Sequence, residues 1–320
     1  MPTCIPASAT DDAGDATFPE TRDPSSPEPA EPGLLAEWSA TRERLLTSHD
    51  PEHLASAALL ATEPAERIGL IKRALSSGGH TPVILWVAAR ICDNTRDQDS
   101  CPADELSERL LAIDPLNSET WMRAAVRWLK NGDDARALEA VQRAGAAGRS
   151  HIYWAETISM VERAFAVATD QPFPERAIAA IGIAAGNMPR YADHMKMCRE
   201  QSQASEMWAH ACLGYGELAE RRNDTIIGES IARGVQILAL DHLNDPARLA
   251  AVVTRRDQVS QAERDYARTH AGEVDVIVST PGLLADYLNV LAQRGETAAM
   301  HWSRTEAARL RAELPVCAPR

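Results

Sequence analysis

The sequence predicts an all-α chain, an array of antiparallel helical hairpins, and three observations carry that expectation. The composition is rich in alanine and poor in rings, with seven tryptophans, five tyrosines and three phenylalanines in 320 residues. From Gly33 onward the apolar residues recur at helical spacing rather than in strict alternation. The interruptions carry helix caps and glycine stops instead of strand-hairpin turns. A chain of this length buries a sizeable core without help from metals or disulfides. No stretch is apolar enough to span a membrane.

Residues 1–32 hold seven prolines and seven carboxylates against a single arginine, with almost no large apolar side chains. Such a segment cannot offset its ordering entropy by burial, so it reads as a disordered acidic tail ahead of a helical domain over 33–316. Leu34 to Leu46 gives the first amphipathic run. Asp50-Pro51-Glu52 then supplies an N-cap, a proline at the first helical position and an acid in the first turn, opening a helix over His53 to Ala61. Pro64 opens a third run that closes at Ser76-Ser77-Gly78-Gly79, glycine tolerating the left-handed backbone past a helix end. A fourth begins near Thr81-Pro82.

Between Trp86 and Ala147 the pattern repeats. With Ser118 as the first position of a 34-residue unit, Trp121 and Trp128 fall at positions 4 and 11, Ala125, Ala137 and Ala144 at 8, 20 and 27, and Pro115 at 32 of the unit before. Small residues let two antiparallel helices approach closely, and indoles plug the gap to the next pair. This pattern resembles the tetratricopeptide repeat (TPR). The resemblance implies a TPR-like α-solenoid, a non-catalytic interaction scaffold, and a protein or peptide partner lying along first-helix positions. Here those positions are Glu119, Met122, Val126, Leu129 and Lys130. Their mostly apolar character fits an apolar peptide, or burial under a neighbouring helix, better than a terminal carboxylate. Downstream the register loosens: Ile152 to Val167 pairs with Pro174 to Ala185, Trp208 and Tyr215 repeat the seven-residue interval, and Asn223 or Asp224 restarts a helix through Leu238. Leu284 to Gln293 and Ala298 to Leu314 form a last hairpin. The tryptophans at 86, 121, 128, 154 and 208 read as plugs between pairs.

Six cysteines are present. Cys92 and Cys101 flank a hairpin turn that a disulfide would clip. A bond between Cys198 and Cys212 requires a turn near Gln201 to Ser205, with Ser202 available as a cap, because unbroken helix would hold the pair too far apart. Cys4 and Cys317 sit near the ends and read as free. Paired cysteines favour an exported, periplasmic protein, whereas the missing signal peptide favours the cytoplasm, and a misplaced start codon would reconcile the two.

The net charge of −13 disfavours nucleic acid. Arginine outnumbers lysine tenfold, with Lys72, Lys130 and Lys196 the only lysines, as a GC-rich genome would produce. Val274 to Leu284 resembles the strand and Thr-Pro-Gly turn of DEAD-box helicases, but no phosphate-binding Gly-rich loop with Lys-Ser/Thr occurs, so the segment reads as a buried connector with Thr280-Pro281 starting the next helix. Asp241-His242 and Asp245 read as capping groups. No zinc spacing and no nucleophile elbow is found, and no cofactor is implied. The alternative to a scaffold is a helical enzyme or metal-binding protein, its site drawn from Asp193, His194, Glu206 and His210.

Overall fold

Sequence-local signals set most helix boundaries in the computed structural model, which describes residues 32–93, 101–269, 273–280 and 282–313. Among these residues there are sixteen helices and no strand: α1 Pro32–Leu46, α2 Pro51–Leu60, α3 Pro64–Ser76, α4 Pro82–Asp93, α5 Ala103–Ile113, α6 Ser118–Lys130, α7 Asp134–Gly145, α8 Trp154–Ala168, α9 Phe173–Ala185, α10 Tyr191–Ala204, α11 Glu206–Arg222, α12 Ile226–His242, α13 Pro246–Thr269, α14 Glu273–Ser279, α15 Leu283–Arg294 and α16 Glu296–Glu313. None is long and apolar enough to cross a membrane. The acidic tail expected over 1–32 lies, apart from Pro32, outside the described residues, as do Cys4 and Cys317.

Side-chain caps open α2, α6, α7, α11, α12 and α13. The Asp50 carboxylate accepts from the Glu52 and His53 amides to open α2, and Asp245 accepts from the Arg248 amide to open α13. Gly78 and Gly132 take positive φ after α3 and α6, a left-handed backbone that glycine adopts more readily than residues with a side chain. Three boundaries differ from the sequence reading. Ser205, not Ser202, caps α11, its hydroxyl accepting from the Met207 amide while Ser202 is buried inside α10. Thr225 caps α12 by accepting from the Gly228 amide. Val274 to Val278 lies in the helix α14 rather than an extended connector, and α15 is entered through Gly282 at φ 88° rather than Thr280; Pro281 lies outside the described residues.

The hairpin α6–α7 packs as its alanines dictate: Ala124, Ala125, Ala137, Ala140, Val141 and Ala144 are all buried. Consecutive helices also pair as α2–α3, α4–α5, α8–α9, α10–α11, α11–α12 and α15–α16. The order of packing is not strictly sequential, however. α7 lies against α11, and α8 returns to α1, α2 and α4. One apolar cluster therefore joins α1–α5 with α8 and α9, a second joins α6, α7 and α10–α13, and a third forms under α9 and α14–α16. Where α7 meets α11 the backbones nearly touch, since a Cβ on Gly145 would come within 3.0 Å of the Gly214 backbone.

Two disulfides fasten the hairpins. Cys92 at the end of α4 joins Cys101 before α5, and Cys198 of α10 joins Cys212 of α11, with Cα separations of 5.5 and 5.8 Å. The second crosses the break between α10 and α11 at Ser205, as the spacing argument required, while residues 94–100 between the first pair lie outside the described residues.

Candidate functional site

The turns that precede α6, α8, α12 and α16 stack into a polar seam through the molecule. Asn117 starts it: its side-chain oxygen accepts from the His151 amide at 2.9 Å and its NH2 donates to the His151 carbonyl at 2.8 Å, as a paired strand would. The Asp224 amide donates to the Ser150 carbonyl at 3.1 Å, and the Glu296 amide donates to the Asp224 carbonyl at 2.9 Å. The Asp224 carboxylate in turn accepts from the Ile152 amide at 3.1 Å. Sharp turns expose backbone N–H and C=O groups that must be paired when buried, and each turn satisfies the next. Tyr153 takes the left-handed conformation, φ 57°, to enter α8. A bulky side chain pays of order 1–2 kcal/mol there. Its hydroxyl bonds to the Asp114 carboxylate and its ring packs against Trp86, which offsets the strain.

Beside the seam sits a buried acid. Glu119, in the first turn of α6, is wholly enclosed, and its Oε1 accepts from Ser150 Oγ at 2.7 Å and Tyr215 Oη at 3.0 Å. Its Oε2 has no hydrogen-bond partner and lies 3.9 Å from His194 Nδ1, which has none either. Burial, only partly opposed by the two hydroxyls, lifts the Glu119 pKa to about 7. Burial first, then the neighbouring Arg90 charge, presses His194 down to about 4.

His194 also lines a cleft between α4, α6 and α10, a cavity of about 90 Å³ walled by Arg90, Arg123, Arg127, Lys130, Arg190, Asp93 and Asp193 together with the Cys92–Cys101 bridge. Most of these cations are already matched. Arg123 grips Asp93 through two nitrogens at 2.8 and 2.9 Å, Arg127 binds Asp104 at 2.6 Å, and Lys130 meets Asp193 at 3.1 Å. Arg90 and Arg190 have no carboxylate within ion-pair distance among the described residues; Arg90 Nη2 donates to the Met188 carbonyl, but its buried Nε lacks any hydrogen-bond partner. Burial presses Arg90 down to about 10; the Asp93 charge opposes the shift, and the charges of Arg123 and Arg190 add to it.

The residues singled out from sequence are divided by the fold. Within the helix-face set, Glu119 and Met122 are fully buried beneath α10 and α11, Leu129 packs on the second cluster, and Val126 and Lys130 reach the cleft. Within the enzyme or metal set, Asp193 and His194 line the cleft, whereas Glu206 and His210 are exposed near the opposite end of the α10–α11 hairpin. Among the described residues no three His, Cys, Asp or Glu side chains converge to hold a metal ion. Trp86, Trp154 and Trp208 are buried plugs, but Trp121 and Trp128 are half-exposed on the far side of α6, where Arg143 and Arg136 lie over their rings at 5.0 and 4.2 Å. Arg90, Arg190 and the seam escaped the sequence reading. Arginine is abundant throughout, and only the fold shows which guanidinium groups lack a carboxylate.

No protein-family model, no curated protein and no solved structure matches the chain.

Proposed function

We propose that this chain is a non-catalytic interaction scaffold of tetratricopeptide-repeat-like hairpins, folded back on itself through α8, and that a protein partner docks over the cleft between α4, α6 and α10. The repeat reading is supported by methyl-sized side chains at the closest approach of α6 and α7. It is supported too by the spacing along the seam, whose bonded turns stand 34, 73 and 70 residues apart, one unit and then about two. The docking reading rests on one observation: two unmatched arginines concentrate at a cleft in a chain of net charge −13, beside half-buried Val126 and exposed Lys130. Protein surfaces that gather one sign of charge in a concave site steer and orient oppositely charged partners. The two disulfides fit an oxidising compartment.

The test is affinity capture from the native host with the wild-type chain and with Val126→Glu, an acidic substitution on the cleft wall. A partner retained by wild type and lost by the variant, with helix content unchanged by circular dichroism, supports docking here. Identical partners for both chains would remove this face from consideration.

A further inference from the structure

The cleft carries two features that a docking surface alone does not require. The first is a charge imbalance of a particular size. Arg123, Arg127 and Lys130 spend their charges on Asp93, Asp104 and Asp193, which leaves Arg90 and Arg190 as a residual of two positive charges. The second is a buried, unpartnered polar atom on a side chain that lines it: Arg90 Nε, on a residue 7% exposed. An unmade hydrogen bond on a buried group costs free energy, more when the group is charged, so a wall holding one on a guanidinium is short of a ligand able to accept from it. One water occupies roughly 10–15 Å³ by this measure of volume, so the 90 Å³ cavity holds several waters or one tetrahedral oxyanion.

We propose that the cleft binds a dianionic phosphate group, seated against Arg90 and Arg190 with His194 beside it, and that the group is a phosphate monoester on the docked partner. Guanidinium forks recognise phosphate oxygens by paired, charge-assisted hydrogen bonds. A dianion matches the residual of two charges, where a carboxylate would leave one unmatched. The cleft is open to solvent beside Lys130, which gives the ester linkage a way out. This assignment rests on the docking reading above for its source, and on the cleft alone for its chemistry.

The experiment titrates the full chain with inorganic phosphate and with N-acetyl-O-phosphoserine amide, following binding by calorimetry and the His194 ring by NMR. Both probes are expected to bind saturably and to compete with each other. Bound dianion should raise the pKa of His194 from its ligand-free value near 4. Arg190→Glu, at an exposed position that leaves the core untouched, should weaken both probes by at least about tenfold. No saturable binding, equal binding by Arg190→Glu, or an unmoved His194 would each overturn the phosphate site. Binding of inorganic phosphate without the phosphoserine probe would overturn the monoester assignment. Phosphatase treatment of a captured partner separates the two readings. A partner lost with Val126→Glu yet indifferent to phosphatase would leave docking intact and sink the phosphate.

Discussion

Glu119 Oε2 and His194 Nδ1 face each other at 3.9 Å across the contact between α6 and α10, and neither makes a hydrogen bond to any other described group. The two residues titrate in opposite senses. Glu119, raised to about 7, contributes stability that is fully present below its unfolded value near 4.5 and is lost as pH rises through 7. His194, lowered to about 4, contributes stability that is present above its unfolded value near 6.5 and is lost as pH falls through 4. Between about 4.5 and 6.5 the two slopes oppose each other, so folding stability should be nearly flat there and should fall only above that window. Urea denaturation at half-unit steps from pH 4 to 8.5 measures the profile. A monotonic rise from 4.5 to 8 would show that Glu119 does not hold its proton.

Glu119→Gln isolates one side of that pair. The amide oxygen can still accept from Ser150 and Tyr215, and its NH2 can donate to His194 Nδ1, while the buried negative charge is gone. At pH 8 the variant should be more stable than wild type by on the order of 2–3 kcal/mol, the equivalent of Glu119's upward displacement, and near equal at pH 4.5. Its own profile should rise more steeply with pH from 4 to 6.5 than the wild type's, because the opposing slope of Glu119 is gone. Parallel profiles for the two chains would mean that the carboxylate is solvated after all.

Helix–helix approach gives a prediction with an internal control. A Cβ on Gly216 of α11 would sit 2.8 Å from Gln236 Cγ and 2.9 Å from the Ala232 carbonyl oxygen of α12. The second contact is backbone and cannot swing aside. Gly216→Ala should therefore cost about 1–3 kcal/mol by forcing α11 and α12 apart, and should disturb the Gln236 bond to Glu220. Gly182, inside α9, has nothing within 4 Å of the same position. Gly182→Ala should stabilise by about 0.5–1 kcal/mol through backbone entropy alone. Thermal unfolding of both variants decides the matter, and like-signed effects would contradict the packing.

What the sequence revealed was whatever depends on near neighbours. Caps at Asp50 and Asp245, the glycine stop at Gly78, the alanines of α6 and α7, and both cysteine pairs follow from spacings of a few residues to one hairpin. The packing of α7 on α11 and of α8 on α2 depends on contacts from 70 to over 100 residues apart, which no local period encodes. α13 was unassigned because it has no continuous apolar stripe: it is largely exposed and buries Val252. The site suffered the same way. Glu119 and Lys130 were legible as points on one helix face, but the cover of α10 buries the first and leaves the second at a rim.

Reduction should loosen the cleft before it unfolds the chain. The bond from Cys198 to Cys212 closes a fourteen-residue separation across the turn at Ser205 and is worth about 3 kcal/mol in the chain-entropy account. It holds α10, with Asp193 and His194, against α11. The double substitution Cys198→Ser with Cys212→Ser should lower stability by about 2–4 kcal/mol. Hydrogen exchange should show faster opening in α10 than in α4. A uniform increase across all helices would instead mean that the bridge acts on the unfolded chain alone.

Asn117 bears the densest set of bonds in the seam. It is fully buried and bonds through its side chain to the His151 amide and carbonyl, the Asp114 carboxylate and the Glu119 amide. Asn117→Asp keeps the acceptor but removes both donors and sets a second carboxylate against Asp114 within a buried turn. Leaving the His151 carbonyl unpaired costs about 1–3 kcal/mol, and the added like charge costs more. The variant should therefore lose at least about 3 kcal/mol at pH 7 and recover part of that loss near pH 4, where the new acid protonates and again donates. Asn117→Ala removes the acceptor as well as the donors but adds no charge, so its loss should change little between pH 7 and pH 4. Denaturation of both variants at the two pH values separates lost hydrogen bonding from buried charge. A loss for Asn117→Asp that does not change with pH would show that the turn relaxes to admit water, and that the seam is less closed than its bonding implies.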